Sequence, residues 1–226
     1  MHQRWCQSLI ALHNVGKGLR KSPQSAKEDD YYNGEGLLAL SLYHEIFPED
    51  KQVAQALGQL DTYFLKKYTN TPSISFYHWS MMAAELRYKQ TGEYRFLKFM
   101  IEQTTWMLEK KVNKFHVERN QCYLAEGLLA VLHALPANTY EHLRNRLITR
   151  LNQEMRKSLS MQIKEGQESL DFPQGVRLKV PYLSKYTGAF LNHAHSSRAR
   201  VDYTQHCLSA LVRQEELAQK GMLGHS

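Results

Sequence analysis

The chain is poor in cysteine, with Cys6, Cys122 and Cys207 its only three among 226 residues. An odd, widely spaced set supplies no disulfide framework and no CxxC metal site. Each falls in an apolar helical stretch, so buried free thiols suited to a reducing compartment are expected. No apolar run approaches the roughly 18 residues that span a bilayer. The apolar residues 9–12 are too few for the core of a signal peptide. A soluble chain of cytoplasmic location is therefore expected. No run of five or more Lys or Arg occurs, and no zinc-finger, homeodomain or RNA-binding pattern, so there is no specific nucleic-acid signal. Gly-rich phosphate loops, the GxSxG elbow, kinase signatures, the dinucleotide fingerprint and HExxH are also missing. These gaps argue against nucleotide-dependent and hydrolase-fold chemistry, and no cofactor or metal is expected.

What is present is ordinary globular material. Hydrophobic residues make up 42%, and 13 Tyr, 8 Phe and 3 Trp weigh against global disorder. The net charge of +7 suits an anionic partner such as a polyuronate. Because the basic residues are spread out, it equally describes a solvated face.

A repeat organises the chain. Gly34-Glu35-Gly36-Leu37-Leu38-Ala39-Leu40 and Ala125-Glu126-Gly127-Leu128-Leu129-Ala130-Val131 match at five of seven positions, 91 residues apart. Midway lies His78-Trp79-Ser80-Met81-Met82-Ala83-Ala84, and Arg200-Val201-Asp202-Tyr203-Thr204-Gln205-His206-Cys207-Leu208-Ser209-Ala210-Leu211 forms a fourth such stretch. These segments are short, nearly charge-free and rich in small residues. Between them, residues 51–67, 94–111 and 140–159 are long and amphipathic, with stripes such as Leu57, Leu60, Phe64 and Leu65 at helical spacing. A helix apolar all round is enclosed by protein, whereas a one-faced helix lies outside. Two layers of helices, inner and outer, satisfy both kinds. Phe47-Pro48-Glu49-Asp50 and Gln90-Thr91-Gly92-Glu93 read as equivalent joints, and Asn138-Thr139-Tyr140-Glu141 as a capping box. The expected fold is all-α: one domain, residues 1–226, of consecutive hairpins about 45 residues long, forming a partial or open ring.

Two long segments break the pattern. Residues 14–33 hold Gly16, Gly18 and Pro23, and residues 162–199 hold Gly166, Pro173, Gly175, Pro181 and Gly188. In the second, residues 176–180 alternate as one short strand. Phe172, Tyr182, Tyr186 and Phe190 are expected to pin it down as an ordered lid or rim.

The first turns of the inner helices would meet around a common hollow. They contribute Tyr32 and Glu35, then His78 and Trp79, then Arg119, Asn120, Tyr123 and Glu126, then Asp202, Tyr203 and His206. Glu35 and Glu126 stand at matching repeat positions. They read as an acid pair flanking a sugar bond, or as helix-start carboxylates near free backbone N–H groups. Asp202 and His206, at i, i+4, read as an oriented general base or as a structural hydrogen-bonded pair of the two, with or without Arg200. A metal site could be drawn from them with His193 and His195, but no signature supports one. Tyr32, His78, Trp79, Arg119, Tyr123 and Tyr203 are the candidate substrate contacts.

Tyr31-Tyr32-Asn33-Gly34-Glu35-Gly36-Leu37-Leu38-Ala39-Leu40 followed by Tyr43, the Thr91-Gly92-Glu93 joint, and the helix alternation together resemble the six-hairpin glycosidase-like superfamily, across residues 30–215. That group includes glycoside hydrolases, polysaccharide lyases, uronyl epimerases and N-acylglucosamine 2-epimerases. The resemblance implies an α/α toroid and a carbohydrate-directed enzyme acting through Asp202, His206, Glu35 and Glu126, with an anionic saccharide as partner. Complete toroids have six hairpins and this sequence shows about four, so the ring is open, completed by another chain, or truncated. The alternatives are a non-catalytic helical-repeat module that binds a protein or peptide, or an accessory domain of a larger enzyme.

Overall fold

The computed structural model describes residues 2–14, 16–109 and 118–223. The described residues are mostly helical, with one small two-stranded sheet. The chain forms two compact units, residues 1–110 with 133–136, and residues 111–132 with 137–226.

The first unit contains α1 (His2–Leu12), α2 (Asp30–Ile46), α3 (Lys51–Asn70), α4 (Ile74–Thr91) and α5 (Tyr94–Glu109). Local chemistry sets their ends. The Asp29 carboxylate accepts the Tyr31 N–H and opens α2. Pro48 follows the α2 C-cap Phe47, and Asp50 then accepts the Gln52 and Val53 N–H groups to open α3. Gly92, at φ 68°, closes α4 in the left-handed conformation.

The charge-poor helices α2 and α4 pack most extensively on each other, while α3 and α5 pack on their hairpin partners and on one another. Within this unit the inner and outer kinds read from the sequence therefore form two layers. A Cβ at Gly34 would lie 2.8 Å from Trp79 Cβ and 3.2 Å from the Phe76 carbonyl, so the small residue is required by the close α2–α4 approach. Ala39 and Met82 are half-buried and Ala130 and Ala210 buried, all four in helices.

A buried ion pair ties the layers together. Asp61 Oδ2 accepts from Arg87 Nε at 3.0 Å and Nη2 at 2.8 Å; Arg87 reaches Gln90, which donates to the Ser41 carbonyl. Burial pushes the Asp61 carboxyl up, more than Arg87 pulls it down. Asp61→Asn keeps an acceptor for Arg87 and loses the charge. It should lower stability by about 1.5–3 kcal/mol in urea unfolding, with Asp61→Ala costing more. Equal losses for the two would show that the retained acceptor is worth nothing.

A second polar network pins the segment before α2. Glu28 accepts from Lys67 at 2.8 Å and Tyr63 at 2.8 Å, Asn33 donates to Tyr68, and Tyr68 donates to Asp30 at 2.7 Å. Burial pushes the Glu28 and Asp30 carboxyls up. Their hydrogen bonds outweigh it: Lys67, the Gly18 N–H, Tyr63 and Asn33 on Glu28, and Tyr68, Ser73 and Lys67 on Asp30. Both carboxyls are thus held below the usual range. A depressed folded-state value gives stability that is present above the unfolded value and lost as pH falls through the folded one. Acid titration of Tm should therefore fall below the ordinary carboxylate range, and Glu28→Gln should flatten that limb. An unchanged limb in Glu28→Gln would remove this network as its cause.

The second unit holds most of α6 (Cys122–Ala134), then α7 (Glu141–Ser160), β1 (Ser169–Asp171), β2 (Arg177–Lys179), a 3₁₀ turn (Leu183–Tyr186) and α8 (Val201–Gln219). β1 and β2 pair antiparallel, with Leu170 opposite Leu178. The segment between α7 and α8 has its own core of Met161, Ile163, Leu170, Leu183 and Leu191. Phe172 and Phe190 pack inward as expected, but Tyr182 and Tyr186 are 72% and 56% exposed and do not pin it. Aliphatic residues fill that role, which leaves the tyrosines to solvent.

Two further expectations are corrected. The capping box at residues 138–141 does not form. Asn138 and Tyr140 both adopt left-handed backbone, at φ 59° and 54°, and Tyr140 is the α7 N-cap with no side-chain capping hydrogen bond. Nor are all the cysteines free: Cys122 and Cys207 form a disulfide, leaving Cys6 as a buried free thiol. The bonded residues stand 85 apart in sequence.

Candidate functional site

The site with the most chemistry lies where α6 and α8 meet in the second unit. Asn120 begins it. Its Oδ1 accepts the Cys122 N–H at 3.0 Å and opens α6, while its Nδ2 donates to the Leu191 carbonyl at 3.1 Å. Its own N–H donates to the Asn192 carbonyl at 3.1 Å. Arg200, in extended conformation, is the N-cap of α8, and Thr204 Oγ1 accepts the Phe190 N–H. One segment of chain, residues 190–192, thus binds the starts of both helices, and the disulfide locks them.

Helical spacing does the rest. Glu126 stands four residues after Cys122, on the same face of α6, and His206 immediately precedes Cys207. Glu126 Oε2 and His206 Nδ1 lie 2.6 Å apart, with side-chain exposures of 6% and 14%. A short carboxylate–imidazole hydrogen bond shielded from water fixes the orientation of the ring. Such a pair takes up and returns a proton.

Around it, burial pushes the Tyr123 phenol up. The Gln121 hydrogen bond lowers it, Tyr203 and Glu154 raise it, and Arg119 lowers it. Arg119, Tyr123 and Tyr203, singled out from two repeats, therefore act on one another, and Glu126 and His206 from the same two repeats form a pair of their own. Behind Tyr123, buried Glu154 pairs with Arg150 and Lys157, and Lys157 also donates to Gln121 Oε1 at 3.4 Å. Burial pushes the Lys157 ammonium down, against the pull of Glu154.

The Asp202 side chain is 47% exposed and bonded to Arg200 at 2.6 Å, while His206 bonds Glu126. The sequence reading joined Asp202 to His206; the structure forms two separate pairs instead, Asp202 with Arg200 and His206 with Glu126. Glu35 is exposed on α2, whereas Glu126 is buried on α6, so matching repeat positions have opposite surroundings. Tyr32 is exposed, His78 buried and Trp79 half-buried. In the first unit Tyr31, which the sequence reading left out of the site, lies 6.0 Å from both the His78 and Trp79 rings.

His193 and His195 both face Glu118, at 3.7 and 3.1 Å. His193 Nδ1 accepts the His195 N–H at 3.1 Å, which places its proton on Nε2, toward the carboxylate. That arrangement suits a histidine–carboxylate clamp rather than metal ligation through His193 Nε2. Sequence reasoning missed Glu118, Gln121, Glu154 and Lys157. The last two carried a weak signal in their i, i+3 spacing, and the others carried none.

No protein-family model, curated protein or solved structure matches the chain.

Proposed function

We propose that the chain is a carbohydrate-directed enzyme domain of the α/α-toroid kind, and that Glu126–His206 is its proton-transfer pair. The observation that carries this reading is the shielded 2.6 Å hydrogen bond between two residues 80 apart, on helix starts where the repeat pattern expected a site. Within the class, a carboxylate–imidazole pair suits abstraction of a sugar C–H proton, as in a lyase or epimerase, better than hydrolysis by two carboxylates. Arg119 supplies positive charge for an anionic saccharide such as a uronate, and the Tyr123 and Tyr203 rings suit the apolar faces of sugars. The layering of α2 and α4 against α3 and α5 supports the toroid reading.

The test is incubation with uronate-containing and N-acylhexosamine oligosaccharides in D₂O. The expected result is deuterium at a sugar carbon, or an unsaturated product, with wild type only and not with Glu126→Gln. New reducing ends without deuterium or unsaturation would replace proton abstraction by hydrolysis. No change in any saccharide would remove the enzymatic reading.

A second reading has its own support. α1 and α2 border an apolar groove of about 390 Å³ lined by Trp5, Leu9, Leu42 and Ile46, with Trp5 66% and Ile46 70% exposed. Exposed apolar patches of this kind mark protein-binding modules. If that is the function, Ile46→Asp abolishes partner binding and Glu126→Gln leaves it intact.

A further inference from the structure

We propose that the Cys122–Cys207 disulfide is a redox-controlled positioning bond, holding Glu126 and His206 together when oxidised and releasing them when reduced. The proposal builds on the reading of Glu126–His206 as the working pair, but its structural half stands without any assigned reaction.

Three observations converge on it. First, the crosslink joins the first turn of α6 to the second turn of α8, with Glu126 one turn beyond one sulfur and His206 adjacent to the other. No other covalent bond joins the described parts of these helices, which stand 85 residues apart at the cysteines. Second, α8 begins without a side-chain cap, so its first turn depends on neighbours for its placement. Third, the bond is enclosed. Both sulfur-bearing residues are 0% exposed, packed with Phe190, Leu159 and Leu211. Phe190 is held by Thr204, and the next residue, Leu191, by Asn120, whose Nδ2 lies 3.3 Å from Cys207 Sγ.

A thiolate reaches the bond only when residues 190–192 lift away, since exchange requires access to sulfur. The step balances with a dithiol reductant. One of its thiolates attacks a protein sulfur, breaking the S–S bond and forming a mixed disulfide. Its second thiol then displaces the protein sulfur. The reductant ends as a disulfide, and Cys122 and Cys207 each gain one electron and one proton as thiols. With the bond open, α8 retains its helix but no longer holds His206 in register with Glu126.

The test uses the full chain, oxidised and then reduced by dithiothreitol, and reads the ring nitrogens of His206 by NMR and amide exchange over residues 202–207. The oxidised protein should show a protected His206 Nδ1–H signal. Reduction should abolish that signal and speed exchange over residues 202–207 by about tenfold, and reoxidation should restore both. The double variant Cys122→Ser/Cys207→Ser should behave as the reduced protein while keeping its helical circular dichroism. An unchanged His206 signal and unchanged exchange on reduction overturn the proposal. So does titration of three thiols, rather than the one of Cys6, in unreduced denatured protein. Neither readout needs turnover, so failure of the enzymatic reading leaves this result interpretable.

Discussion

Loss of the Cys122–Cys207 bond is expected to lower the stability of the second unit by about 4–5 kcal/mol, a change of more than a thousandfold in its folding constant. The size follows from the 85-residue separation, because a crosslink restrains the unfolded chain in proportion to the logarithm of the loop it closes. Both cysteines lie at 0% exposure beside Phe190. Replacing them with alanine therefore also removes buried sulfur and adds a small packing loss. The measurement is the urea midpoint of Cys122→Ala/Cys207→Ala against wild type, with Cys6→Ala as the control that removes a buried thiol without breaking a crosslink. Dithiothreitol should shift the wild-type midpoint toward that of the double variant and leave the double variant where it is. A wild-type midpoint indifferent to reductant would show that the bond contributes nothing to the folded state.

The elements that were legible in the sequence are those written locally. Pro48 and Gly92 end helices by their own backbone restrictions, and Asp50 caps α3 within three residues. The contrast between charge-poor and one-faced helices survives in the layering of α2, α4, α3 and α5. The strand expected at residues 176–180 appears as Arg177–Lys179, because alternation is a short-range signal. Its partner Ser169–Asp171 has three residues and no pattern of its own.

What was missed is long-range. Glu126 and His206 were both singled out, yet the sequence joined His206 to Asp202 by helical spacing and did not pair it with Glu126. Arg200, two residues from Asp202, holds that carboxylate instead. The cysteine reading failed for a related reason: spacing and an odd count reveal nothing about which helix starts adjoin. Lys67 is likewise unmarked by its local sequence, and only the fold brings Glu28 to it across 39 residues. The capping-box pattern at residues 138–141 shows the reverse error, since a correct local motif was overridden by two left-handed residues.

Glu126→Gln and His206→Gln should each reduce kcat by about 10²–10⁴-fold on the substrate found in the D₂O screen, with KM changed far less. Glutamine at 126 keeps the shape and one acceptor but cannot stabilise an imidazolium. Charge developing on the ring in the transition state then has no carboxylate opposite it, and the cost appears in kcat. Glutamine at 206 removes the titratable ring nitrogen altogether. Because the two side chains act as one unit through a 2.6 Å hydrogen bond, their losses should not add. The double variant should be no worse than the poorer single variant. Asp202→Asn, which disturbs only an exposed pair with Arg200, should leave kcat within about threefold of wild type. Thermal unfolding separates chemistry from folding, since a glutamine variant that has lost turnover while keeping its cooperative transition has lost proton transfer. If the two single losses multiply in the double variant, Glu126 and His206 serve separate steps and the paired mechanism is wrong.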